Sequence, residues 1–97
     1  MPRITRAAII QASSPSAEGA DLADLKQATI EKHLPMIAEA ADRGARVCCL
    51  QEIFSGPYFC AEQDTKWYET AEPIPDGPTT KLMQGLAKKH KMVLVVP

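Results

Sequence analysis

The sequence predicts an α/β fold built on a parallel sheet, with elements in the order βαβαβ. Three observations carry this. Short apolar stretches at Ile4 to Ala12, Arg46 to Gln51 and Met92 to Val96 have the length and composition of buried strands. The two intervals between them carry apolar residues at helical spacing. Strand, helix, strand over such a length is a βαβ unit, right-handed by rule, and it makes neighbouring strands parallel.

Taken in order, Ile4 to Ala12 is the first strand, rich in small apolar residues, with Gln11 near its end. The Ser-, Pro-, Gly- and Ala-containing stretch from Ser13 to Ala20 is a loop. Asp21 or Asp24 can cap the first helix, which runs to about Arg43. Ile30, Leu34, Ile37 and Ala41 form its apolar face, while Glu31, Lys32, Glu39 and Asp42 point away. His33 reads as a surface residue. Pro35 has no N–H for the carbonyl of Glu31, which predicts a kink. Gly44 is the expected left-handed stop. Arg46 to Gln51 is the second strand, and Phe54 to Lys66 a loop in which Phe54, Tyr58 and Phe59 cluster. Those aromatics either line a pocket or plug the loop onto the core. Trp67-Tyr68 can begin a short helical turn. Glu72 to Pro78 is rigid and turn-rich, and Gly77 or Thr79 caps a second helix with Pro78 in its first turn. Leu82, Leu86 and either Met83 or Ala87 give its buried face, with Lys81, Lys88 and Lys89 solvated. Lys91 stands at the stop position, where glycine would be easier. Met92 to Val96 is the third strand.

Composition narrows the functions open to this chain. Ninety-seven residues make at most one small domain, and the apolar fraction of 45% is ordinary for a globular protein. A net charge of −1 with mixed signs argues against a nucleic-acid partner, for which a basic stripe is expected. No apolar run is long enough to span a bilayer, and Met1-Pro2-Arg3 leads into a strand rather than a signal-peptide core. Three cysteines without a framework spacing suit a reducing compartment. The expectation is a soluble, cytoplasmic protein without a membrane partner. Cys48 and Cys49 are adjacent in a strand, so they point to opposite faces and cannot grip a metal together. His33 and His90 fall on separate helices. No metal cluster is visible in the sequence.

The chemistry centres on Glu52. It ends the buried stretch Val47 to Leu50, and Gly56-Pro57 breaks the chain soon after. In parallel α/β sheets ligands bind beyond the carboxyl ends of strands. A carboxylate there is expected to be partly desolvated, which raises its pKa and suits a general base near neutral pH. The alternative is a helix cap or a loop salt bridge.

The succession Cys49-Leu50-Gln51-Glu52-Ile53-Phe54, then Gly56-Pro57-Tyr58-Phe59-Cys60 and Ile74-Pro75-Asp76-Gly77-Pro78-Thr79-Thr80, resembles the N-terminal part of the nitrilase superfamily of carbon–nitrogen hydrolases. Within it the branch of β-ureidopropionase is most similar, with N-carbamoylputrescine amidase close by. The resemblance implies an α-β-β-α sandwich, of which residues 1–97 would be the N-terminal βαβαβ portion of a single, incomplete domain. It also implies a Glu-Lys-Cys triad. Glu52 matches the general base, and the Lys and the nucleophilic Cys come later in the family's chain. Cys60 lies where the family has no catalytic Cys. In the implied mechanism a thiol attacks the carbonyl carbon, Glu52 takes its proton and later activates water, Lys with backbone donors holds the oxyanion, and no metal or organic cofactor is needed. Tyr58 and Phe54 are candidates for substrate contact. The expected partner is a small N-carbamoyl amine, and the full-length protein is expected to be a homo-oligomer. The competing reading is a non-catalytic α/β interaction module that uses its uncovered apolar surface. The all-apolar third strand, with nothing after it, leads us to expect the front part of a larger domain.

Overall fold

The computed structural model describes residues 2–15, 21–57, 59 and 63–97. Strand β1 (Ala7–Ile9) leads to helix α1 (Leu22–Asp42), strand β2 (Val47–Cys49), a 3-10 helix (Thr65–Thr70), helix α2 (Pro78–His90) and strand β3 (Val93–Val95). The strands form one parallel sheet in the order β1-β2-β3. Ala8 lies beside Cys48 and Cys48 beside Leu94. The βαβαβ order and the parallel pairing are as expected. The strands are shorter than the apolar stretches that announce them.

Strand alternation decides which side each residue serves. Ala8, Cys48 and Leu94 face the helices, joined by Ile10 and Leu50 just beyond the strands. Ile30, Ile37 and Ala40 of α1 and Met83 of α2 pack into that core, together with Ala45, Phe54 and Met92. Both crossovers therefore set their helices on the same side of the sheet. The opposite side carries Ala7, Ile9, Val47, Cys49, Val93 and Val95. It has no cover among the described residues, and Ile9 is 84% exposed.

Helix α1 follows Asp21 as its N-cap, whose side chain makes no capping hydrogen bond, and runs unbroken through Pro35. Gly44 takes φ +87°, the left-handed stop expected there. Helix α2 opens with Gly77 as N-cap and Pro78 at its first position, and Lys91 ends it in the left-handed region. The surface placement of His33 fails. His33 is completely buried rather than on the surface. The buried stripe of α1 runs through Ile30, His33, Ile37 and Ala40, rotated by one residue from the Ile30, Leu34, Ile37, Ala41 face. Leu34 and Ala41 are left half-buried at its flank.

Candidate active site at the carboxyl ends of the strands

The sheet ladder continues one residue past β2, where Leu50 N–H donates to the Val95 carbonyl at 3.0 Å. Gln51 then ties the ends of two strands together, its side-chain oxygen accepting from the backbone N–H of Ala12. A turn follows over residues 52–55. Glu52 therefore lies three residues beyond the last residue of β2, not at its end. Its side chain is exposed, so the desolvation expected from the sequence is not present. The cause is local. Ile53 takes φ +52°, and Phe54 fills the inward position, only 1% exposed, while Glu52 is left outside.

Two clefts open beside this turn. One, of about 510 Å³, lies between the start of α1, the turn and the 3-10 helix, with Lys26, Ile53, Phe59 and Trp67 among its walls. The other, of about 550 Å³, lies between the turn and α2, with Phe54, Met83 and Leu94 among its walls. Both volumes suit a small molecule. Ser55 and Glu72 line both clefts, and Glu52 lines neither. Phe54 thus plugs the turn onto the core and shows only its margin to the second cleft. Phe59 stacks on Trp67 with ring centroids 5.8 Å apart. Tyr58, the other substrate-contact candidate, lies outside the described residues, as do Cys60 and Glu62.

The best-engaged carboxylate at this end of the sheet is one that sequence reasoning passed over. Glu72 pairs with Lys26 and accepts from the backbone N–H of Thr79 at 2.7 Å and from its hydroxyl at 2.6 Å. Burial pushes its pKa up, but the hydrogen bonds and the charge of Lys26 outweigh that, and the net shift is downward. The carboxylate caps the start of α2 from outside the helix, where the macrodipole favours a negative charge. A Glu shortly before a Gly-Pro-Thr helix start is the signal that could have found it.

A scan against family models matches residues 6–97 to the carbon–nitrogen hydrolase family. The chain belongs to the carbon–nitrogen hydrolases. It is 38% identical to a β-ureidopropionase of Arabidopsis thaliana over 99% of its own length and 23% of the relative's. A citrullinase of Francisella tularensis is 33% identical over 92% of the chain and 28% of the relative. An N-carbamoylputrescine amidase of Solanum lycopersicum is 38% identical over 63% of the chain and 20% of the relative. The chain thus spans about a fifth to just over a quarter of these relatives.

Within a carbon–nitrogen hydrolase, Cys48 is placed as a poor nucleophile. Cys48 is fully buried, and burial first, then the neighbouring Cys49, pushes its thiol pKa up. Cys49, half-buried on the opposite side of the sheet, donates its S–H to the Leu50 carbonyl.

Proposed function

We propose that this chain supplies the general base, Glu52, of an enzyme that hydrolyses the C–N bond of an N-carbamoyl amine, with N-carbamoyl-β-alanine the first substrate and N-carbamoylputrescine the second. The observation that carries the reading is the 38% identity to a β-ureidopropionase across 99% of the chain. The placement of Glu52 past the carboxyl end of the central strand, beside two clefts, supports it. The Lys and the Cys of the triad would come from outside these residues. The Cys thiol would attack the carbamoyl carbon as Glu52 took its proton, and the tetrahedral intermediate would expel ammonia, which carries that proton away. Glu52 would then activate water to release carbon dioxide and the amine. The proposal includes a cytoplasmic location and a homo-oligomer. Residues 1–97 are then the N-terminal portion of one larger domain.

The second reading, an interaction module, is favoured by one observation. The described residues offer an uncovered apolar sheet face and no nucleophile beside Glu52. An ammonia-release assay on the intact protein separates the two, because a module releases none. The two substrates differ at their far end, carboxylate against ammonium, and a buried charge must be paired. Comparing kcat/KM therefore identifies the pocket. We expect N-carbamoyl-β-alanine to lead. A preference of ~10-fold or more for the putrescine compound, about 1.4 kcal/mol, reverses the order.

A further inference from the structure

We propose that the ring pair of His33 and Phe54 is a latch that holds the strained turn after β2 and so sets the direction of the Glu52 carboxylate. His33 is then a positioning residue, and the inference rests on the general-base role proposed for Glu52.

The turn does not hold itself. Ile53 sits at φ +52°, a region that a β-branched side chain rarely enters, because its Cβ crowds the neighbouring backbone. Such a conformation persists only where its surroundings impose it. The backbone hydrogen bond that closes the turn, Gly56 N–H to the Ile53 carbonyl, is long at 3.4 Å. Glu52 is exposed and Ile53 and Ser55 are half-buried. The anchor is Phe54, which is buried in the core that α1 and α2 share.

What Phe54 meets there is unusual. Its ring packs against His33 with centroids 5.3 Å apart and planes at 74°, an edge-to-face contact. The His33 ring is itself fixed. A carbonyl oxygen only accepts, so the Nδ1–H of His33 donates to the Thr29 carbonyl at 2.7 Å, one turn back along α1. Thr29 in turn donates its hydroxyl to the Leu25 carbonyl at 2.8 Å. The other nitrogen, Nε2, is buried with no partner among the described residues. A buried polar atom without a partner costs stability, and an apolar residue would fill the same space without that cost. Stability alone therefore does not call for a histidine here. A ring held in one plane by its own helix gives Phe54 a fixed wall. The chain of contacts runs from α1 through His33 and Phe54 to the strained Ile53, next to Glu52.

The test uses the intact protein with two readouts: steady-state hydrolysis of N-carbamoyl-β-alanine and N-carbamoylputrescine, and amide hydrogen exchange of residues 52–56. His33→Ala removes the wall. It is expected to lower kcat at least ~10-fold with KM within ~3-fold, and to speed exchange in 52–56 but not in β2. His33→Phe keeps an aromatic edge, and is expected to hold kcat within ~3-fold of the parent and to leave exchange in 52–56 at the parent's rate. Should His33→Ala not fold, Phe54→Leu replaces it and is read by kcat and by exchange in 52–56, without the KM criterion, because Phe54 borders the second cleft. Unchanged kcat and unchanged exchange in the variant that folds overturn the latch, as does exchange that rises uniformly over α1 and β2. If the parent protein hydrolyses neither substrate, the functional reading fails instead, and the exchange readout alone then decides the latch.

Discussion

Glu72 shows how much one side chain can settle. It joins α1 through Lys26 and starts α2 through Thr79, and it borders both clefts. Because its folded pKa is depressed, its contribution to stability is present above the unfolded value of about 4.5 and is lost as pH falls through the lower folded value. Glu72→Ala should cost about 1–2 kcal/mol at neutral pH, through the lost cap and ion pair. The gap to the parent protein should narrow as pH falls below about 4.5 and through the lower folded value in denaturant melts. Parallel curves across that range would contradict the role. The orientations of Cys48 and Cys49 were readable beforehand, because alternation in a strand is strict. His33 was not, since a helix can rotate its buried stripe by one residue and still cover its apolar positions. Glu72 escaped because its partners come from α1 and α2, and spacing along the chain does not disclose contacts between elements.

The helices and their stops follow from sequence more completely than the loops do. Gly44 and Lys91 stand in the left-handed positions their places in the pattern demand. Gly77 has a different reason to be glycine. A Cβ there would lie 2.6 Å from the Pro73 carbonyl and 2.8 Å from the Glu72 side chain. Its N–H donates to the same Pro73 carbonyl at 2.7 Å, across a segment that contains the cis Ile74–Pro75 peptide. Gly77→Ala must therefore displace either the Pro73 backbone or the Glu72 cap. A loss of about 1–3 kcal/mol is expected by thermal or urea melts. A variant as stable as the parent would show that the segment yields freely. The turn at 52–55 was legible as a break in the chain, from Gly56-Pro57. Its inward Phe54 and outward Glu52 were not, because the positive φ at Ile53 is not the preference of an isoleucine.

At the scale of the molecule, one side of the sheet is packed and the other is bare among the described residues. The Cα radius of gyration is 14.7 Å. A compact chain of this length would have about 12.5 Å. Ile9, Val93 and Val95 all stand exposed on the uncovered side. The 97-residue chain by itself is therefore expected to self-associate in sedimentation and to release no ammonia from either substrate. A soluble monomer would contradict the first expectation, and measurable hydrolysis the second. The α/β class was legible at this scale because three apolar runs and two amphipathic stretches admit few other arrangements. The surroundings of Glu52 were not, because its exposure depends on what covers the carboxyl end of the sheet. The chain spans only 23% of the β-ureidopropionase it resembles. The role of Glu52 is tested most directly by Glu52→Gln in the intact protein, which keeps the size of the side chain and removes the base. The account predicts an unchanged fold, by circular dichroism and melting, with kcat lowered at least ~10²-fold. Near-parental turnover in a well-folded Glu52→Gln protein would contradict it.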